Sequence, residues 1–563
     1  MGNNKNLILA MVLSVLILVG WDYVFPQPKP AAPVATAPAA TTESATADSV
    51  PGATEPADRV RPRAVVLTES PRVAIDTPKL KGSIALKGAR LDDLMLTRYR
   101  EAVEKDSANI VLLSPAGTAE TYFAELGWSA AGTGLAVPDR NTVWSADAAT
   151  LTPEKPVTLR WDNGQGLVFS LTFAIDKDYM FTVTRTVENR STGPVALAGY
   201  GRLSRGSIPK HQTFAVLHEG PLGVFNGTLE EEKYADLVED GPVNYDSTGG
   251  WLGMTDHYWL TALVPDQKAQ FKATFRAPDG RYQADFLQTP LTIGAGARHS
   301  DTVRLFAGAK EVALIDRYEK QYGIALFDRA IDWGWFYFLT RPIFFVLDWL
   351  YKLMGNFGLA IIGLTVIVKA IMFPLANKSY ASMNKLKLLQ PKMKELQERY
   401  ADDKQQQQRA IMEMYQKEKV NPLGGCLPIL LQIPVFFALY KVLFVTIEMR
   451  HQPFFGWIRD LSAPDPLTPV NLFGLLPFTP PSFLAIGILP IIMGVTMWLQ
   501  QRLNPAPVDP VQQKVFAFMP IIFTFILAPF AAGLVVYWTV NNVLSILQQW
   551  VLLKRHANEP GKA

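Results

Sequence analysis

The sequence predicts an α+β membrane protein with six transmembrane helices, an N-terminal anchor plus a five-helix core bundle, and a large extracytoplasmic antiparallel β-sandwich domain. Three observations predict this. Apolar stretches long enough to cross most of a bilayer's hydrocarbon occur near the N-terminus and repeatedly between about residues 356 and 553. Residues 64–322 alternate apolar and polar side chains at period two. Lys and Arg gather in the loops that a single orientation places on one side of a membrane. The chain has 563 residues, too many for one ordinary domain. Its mean hydropathy of +0.10 averages a soluble and a membrane-embedded population.

The first apolar stretch, Leu7 to Val24, follows Lys5 within residues 1–25. Trp21-Asp22-Tyr23 stands where a signal peptide would carry small residues for cleavage. The segment therefore reads as an uncleaved signal anchor, with cleavage the competing outcome. Residues 26–63 are rich in Pro, Ala, Thr and Ser and hold few apolar anchors, the composition of an extended linker. In residues 64–322, Val157 to Trp161 and Leu167 to Ile175 flank the turn sequence DNGQG. Leu167, Phe169, Leu171, Phe173 and Ile175 alternate strictly, as do Tyr179, Phe181 and Val183, with Val187 in the same phase. Such strands at short spacing predict a large sandwich. His211, His218, His257 and His299 are scattered, and no HExxH, GxSxG or phosphate-loop pattern accompanies them. A binding or scaffold role is expected of this domain.

Residues 323–355 are dense in aromatics, with Asp348 and Lys352 at i,i+4. This suits an amphipathic helix lying in the membrane interface. One long tilted span running on from there into Phe357 is the alternative. The second span, residues 356–377, leads into a cytoplasmic helical hairpin, residues 378–422. Leu386, Leu389, Met393, Leu396 and Tyr400 recur at helical spacing, Asp402-Asp403 marks the turn, and Ile411, Met414 and Tyr415 mark the second arm. Pro391 predicts a kink or a restart in the first arm. Ten basic against six acidic residues place this hairpin in the cytoplasm. Spans at 423–447, 483–501, 514–531 and 532–553 follow, joined by an aromatic, Pro-rich outer loop (448–482) and a cytoplasmic loop (502–513). A short cytoplasmic tail (554–563) closes the chain. With the N-terminus inside, the charge rule agrees at each loop. The single cysteine, Cys426, rules out an intrachain disulfide and a Cys-rich metal site.

Lys369 carries the functional signal. It is the one ionisable group in the apolar run Phe357 to Pro374, where a lysine near the middle of a span costs roughly 2.5–3.5 kcal/mol. Thr365 lies one turn earlier on the same face, and Pro374 weakens the helix five residues later. A hydrated cavity and snorkelling of the ammonium to the cytoplasmic surface are the competing readings. Tyr537, Asn541, Ser545 and Gln548 fall within an arc of about 80° on the last span. Gln432 on the third span, with Thr496 and Gln500 on the fourth, adds uncharged polar groups. Each alone reads as a helix-packing hydrogen bond; together with Lys369 they predict one hydrated groove. The spans' apolar centres hold no Asp or Glu, which argues against an ion-coupled transporter.

Several motifs then combine. They are Asn421-Pro-Leu-Gly-Gly-Cys-Leu-Pro428 followed by Gln432-Ile-Pro-Val, and Lys369 to Pro374 with Leu386 to Pro391. Asp460-Leu-Ser, Asp509-Pro-Val-Gln-Gln-Lys514 with Met519-Pro520, and Gly533-Leu534 before Tyr537 complete the set. Over roughly residues 330–555 the chain resembles the YidC/Oxa/Alb family of membrane protein insertases. The anchor and long β domain look like the Gram-negative form of that family, whose outer domain is a β-supersandwich.

The resemblance implies an insertase and folding chaperone for inner-membrane proteins, not an enzyme, working alone or beside the Sec translocon. Its implied partners are nascent membrane proteins received by the hairpin, the Sec translocon, the ribosome through Lys554-Arg555 and the tail, and membrane lipids. No specific nucleic acid, cofactor or metal is implied. The family's positive groove residue is commonly Arg; here Lys369 keeps the charge without the bidentate fork. A lipid or solute transporter using the same cavity, and an envelope glycan-binding or glycan-modifying protein, are the rival classes.

Overall fold

A computed structural model describes residue 50 and residues 60–130, 134–208, 217–418, 427–473, 475–476, 478, 480–481, 484–503 and 510–557. The expected signal anchor, nearly all of the linker, His211, the run 421–426 and the last residues of the tail lie outside the described residues.

The β domain is built from two sheets, of eleven and nine strands. The DNGQG hairpin forms as its sequence predicts. Val157–Asp162 pairs antiparallel with Leu167–Ile175, with Val157 opposite Phe173 and Asp162 opposite Val168. Gly164 and Gly166 take φ of 68° and 84°, conformations that glycine adopts without steric cost. Asn163 Oδ1 accepts from the backbone N–H groups of Gln165 and Leu167 and closes the turn. Leu167–Ile175 then pairs with Met180–Asn189, and Phe169, Leu171, Phe181, Val183 and Val187 are all fully buried. Pairing is antiparallel with one local departure, the two-residue strand Thr150–Leu151, which runs parallel to Arg72–Asp76.

Arg185 links the two sheets through the core and is fully buried. Its guanidinium bonds the Asp301 carboxylate on the neighbouring strand of its own sheet. It donates across the sandwich to Tyr200 O at 2.8 Å and Gln288 Oε1 at 2.6 Å. In the larger sheet, Glu125 sits between Arg202 and Arg90 and accepts from Tyr200 Oη at 2.7 Å. Burial works to raise its pKa, but the two guanidinium groups outweigh that and hold it at about 2.

The last strand ends at Ala309, and helix α1 (Val312–Tyr322) packs back on the domain through Tyr318, which donates to Asp176 Oδ2 at 2.5 Å. The expected interfacial helix is shorter than residues 323–355. Gly323, Leu326 and Gly334 take positive φ and keep the chain out of helix, so α2 spans Tyr337–Met354 only. It ends at Gly355, φ 68°, and Asn356 caps the next helix by accepting from Leu359 N. That break removes the alternative of one long tilted span. Ile343, Phe344, Leu347 and Leu350 form the buried face of α2, while Phe338, Phe345, Trp349 and Leu353 are exposed.

Helix α3 (Phe357–Arg399) runs 43 residues without the break expected near residue 377 or the restart expected at Pro391. Each proline removes one donor, yet side-chain contacts to neighbouring helices grip α3 on both sides. Lys369 and Asn377, bonded to the last helix, flank Pro374. Leu389 and Met393 flank Pro391 and are buried, and the hairpin's second arm, α4 (Lys404–Lys417), reaches Met393 Sδ through the Tyr415 hydroxyl at 2.8 Å. Asp403 caps α4 by accepting from Gln405 N and Gln406 N at 3.0 Å. Helices α5 (Leu427–Val445), α6 (Ile488–Leu503), α7 (Pro510–Leu527) and α8 (Ala532–Ala557) follow. The fourth expected span starts at Ile488 rather than at residue 483. By length and hydropathy, α3 is the one described helix fit to cross a membrane by itself; Gln432–Val445 and Gln513–Leu527 are shorter apolar pieces.

The β domain and helices share one continuous apolar core. Polar bonds tie them as well: His257 Nε2 to Phe444 O at 2.5 Å, Arg450 to Arg100 O at 2.6 Å, and Val312 N to Glu448 Oε1 at 2.8 Å. Burial holds His257 neutral, lowering its pKa to about 4. The other Glu448 oxygen is shut off from solvent and has no partner. Burial raises the Glu448 pKa from 4.5 to about 7, against the Val312 N–H, which favours the charged form.

Two outcomes are expected. Arg185→Leu leaves Asp301 and Gln288 without their buried partner and costs about 3–5 kcal/mol; the unfolding midpoint of the β domain falls by on the order of 10 °C. For Glu448, a folded pKa above the unfolded one means the protonated carboxyl stabilises the junction. That contribution is complete below pH 4.5 and lost as pH rises through about 7. Glu448→Gln therefore removes a loss on the order of 2 kcal/mol between pH 5 and 8. A pH series of thermal unfolding, wild type against variant, reads this directly.

Candidate functional site

The site is built where α3 and α8 pack along their polar faces. Lys369 Nζ donates to Ser545 Oγ at 2.7 Å. Ser545 spends its own proton on Asn541 O, one turn back, at 2.8 Å. Its lone pairs are thus turned to the ammonium. Lys369 is half-buried, and among the described residues no charged group acts on it. An ammonium has three donors, and Ser545 takes one. The contact directs the ammonium to α8.

Other predicted residues fall into separate contacts. Gln432 on α5 donates through Nε2 to Tyr537 Oη. Tyr537 is 1% exposed, and the pair ties α5 to α8. Gln548 Nε2 donates to Asn377 Oδ1 at 3.0 Å, just under one turn beyond Pro374. Thr365 is also 1% exposed, and its hydroxyl donates to Ile361 O at 2.7 Å within α3. It shares the Lys369 side of the helix, but its polarity is consumed by its own backbone. Thr496 belongs to another interface: it accepts from Asn542 Nδ2 at 3.1 Å and donates to Met493 O at 2.7 Å, joining α6 to α8. Gln500 lies one turn further along α6, half-buried, outside these contacts. Of the eight expected residues, Lys369, Ser545 and Asn541 thus meet in one contact chain and Gln432 and Tyr537 in a second. Thr496 meets α8 through Asn542, beside the stripe that carries Ser545.

Four residues of this region were missed. Asn377 and Tyr380 continue the Lys369 face past Pro374, within an arc of about 80° on an ideal helix, and that spacing was a usable signal. The Tyr380 hydroxyl meets Ser545 and Gln549. Asn542, 2% exposed, and Gln549, 6%, carried no separate signal because they fall beside the polar stripe. No cluster of His, Cys, Asp or Glu fit to hold a metal occurs among the described residues.

This architecture, a two-sheet domain joined to apolar helices with a half-buried ammonium on the longest of them, can be set against known proteins. Residues 72–346 match the family described as the YidC periplasmic domain, and residues 349–559 match the 60Kd inner membrane protein family. The curated membrane protein insertase YidC of Beijerinckia indica subsp. indica is 52% identical over 98% of this chain and 96% of its own length. This chain belongs to the YidC family of membrane protein insertases. The relative from Methylobacterium nodulans, of the same description, is 50% identical over 99% of this chain and 96% of its own. A crystal structure of an active YidC insertase aligns over 88% of this chain and 94% of that one, at 18% identity and a TM-score of 0.37. In the family's terms, residues 72–346 are the periplasmic domain and the helices form the inner-membrane part.

Ser545→Ala removes the acceptor from Lys369 and takes away one buried oxygen with little change in volume. The loss of a hydrogen bond to a charged group costs about 1.5–3 kcal/mol. The expected outcome is a lower unfolding midpoint in detergent, restored by Ser545→Thr, which carries the same hydroxyl.

Proposed function

We propose that this insertase works through the α3–α8 face, with Lys369 as a fixed point charge in a wet groove open to the cytoplasm. The observation that carries this is the lone ammonium: one serine contact, no charged neighbour among the described residues, in a helix apolar enough to cross a bilayer. Removing a polar segment from water without partners is expensive. A positive, hydrated concavity shortens the dry distance for an acidic tail and attracts it transiently. Lys369 has donors to spare for a passing carboxylate, and Ser545 holds it in place meanwhile. The substrate's apolar helix then leaves sideways into lipid, driven by burial of its own apolar surface. No chemical step is needed, which fits a passive device.

In this reading α3, α5, α6, α7 and α8 are five core spans, and the stretch Leu7 to Val24 is a sixth. Both termini then lie in the cytoplasm and the β domain in the periplasm. The hairpin formed by the end of α3 and by α4 projects into the cytoplasm with exposed Leu388 and Met412. It receives the nascent chain, near the ribosome or the Sec translocon.

The test is a substitution series with two substrates. Lys369→Arg retains insertion of a substrate with an acidic translocated tail. Lys369→Ala slows it by on the order of tenfold, about 1.4 kcal/mol. Neutralising the acidic residues of the tail restores most of the Lys369→Ala rate. An unchanged rate for Lys369→Ala on the acidic substrate would falsify the groove-charge mechanism.

A further inference from the structure

A second charged site lies at the other end of the helical region. A cavity of about 320 Å³ opens where the segment 332–336 meets α5. Its floor is an ion pair, Lys441 Nζ to Asp332 Oδ2 at 2.8 Å, with side-chain exposures of 10% and 24%. Asp332 is fixed from behind: Oδ1 accepts from Gly334 N at 3.0 Å and Oδ2 from His218 N at 3.2 Å. Gly334, φ 73°, lies against the Lys441 stem, where an added Cβ would stand 3.0 Å from Lys441 Cε. Aromatic rings form the walls: Trp333, Trp335, Phe336, Phe437 and Tyr440. The indole N–H of Trp333 is buried and has no hydrogen-bond partner.

The position of the cavity indicates its occupant. Lys441 stands four residues before the end of α5 at Val445, about 6 Å along the helix. Phe437, one turn deeper, is 50% exposed, and Trp335 at the rim is 90% exposed. The exposed Phe338, Phe345, Trp349 and Leu353 of α2 form an adjoining apolar face, as on a helix lying at a membrane surface. The cavity is therefore at headgroup depth and open towards lipid, a placement that rests on the membrane reading proposed above. Its fixed charges are one positive and one negative, side by side. An anionic headgroup would meet Asp332 as well as Lys441, whereas a zwitterion satisfies both. Aromatic faces beside the pair favour an ammonium.

We propose that this cavity seats the headgroup of a zwitterionic aminophospholipid, its phosphate at Lys441 and its ammonium between Asp332 and the aromatic wall. The bound lipid pins the corner between α2 and α5 and sets the depth of the helices in the bilayer. Its acyl chains run down past Phe437.

The full-length protein is reconstituted in nanodiscs of equal ethanolamine and glycerol phospholipids with identical acyl chains. Lipids retained on the released protein are counted by native mass spectrometry. The wild type retains the ethanolamine lipid about fivefold over the glycerol lipid, and Asp332→Asn and Trp335→Ala abolish that preference. Trp335 is exposed, so Trp335→Ala keeps the unfolding midpoint of the wild type even where Asp332→Asn lowers it. Equal retention of the two lipids, preference for the glycerol lipid, or a preference that survives Trp335→Ala overturns the assignment. Substrate insertion is assayed in the same discs. Headgroup selectivity with failed insertion strikes the insertase mechanism alone, and insertion without selectivity strikes the lipid site alone.

Discussion

An ammonium inside an apolar helix must be solvated by something, and here one serine hydroxyl begins the task. Ser545 can accept from Lys369 because its proton is already given to Asn541 O. That arrangement requires α3 and α8 to sit side by side at a fixed height. The Gln548–Asn377 contact sets the same height on the far side of Pro374. The charge therefore does structural and functional work with different donors. One is bound in the helix pair, and in the proposed mechanism the others are offered to water or substrate.

Continuity of α3 is the second consequence. A helix of 43 residues rises about 65 Å, more than a bilayer's hydrocarbon and headgroups together. In the membrane reading, the groove and the first arm of the hairpin are then one rigid rod. Movement of the hairpin is felt at Lys369 without any intervening joint. Prolines at 374 and 391 would break such a rod in isolation. Neighbours on both sides of Pro374, and at Met393 just beyond Pro391, keep it whole.

At the outer end the molecule is equally tied. Glu448, His257, Lys441 and Arg450 each bond across the seam between helices and β domain. The seam holds two groups whose burial moves them into unusual states, Glu448 near pH 7 and His257 near pH 4. Both favour the neutral form, as expected where an apolar core runs through the junction. The β domain is thus packed on the helices as well as tethered to them, with Arg185 binding its two sheets to each other and Glu125 tying strands of the larger one.

What the sequence by itself determined is what periodicity and composition encode. The strict alternation from Leu167 to Ile175 fixed a strand and its buried face, because a one-residue slip would turn every apolar group to solvent. DNGQG fixed its turn, Asp402-Asp403 the turn of the hairpin, and the apolar run around Lys369 a helix fit to cross a membrane with one costly charge. These are local signals, and they were legible. Which polar groups meet was decided only by tertiary packing. Spacing placed Thr365 with Lys369 and Thr496 with the groove, yet the first hydroxyl turned to its own backbone and the second to Asn542 on another face of α8. A helix face says where a side chain points, and only the neighbouring helix says what it finds there. The partner of Lys369 was in the sequence as Ser545, 176 residues away, and nothing short of the folded bundle could choose it over Asn541 or Gln548.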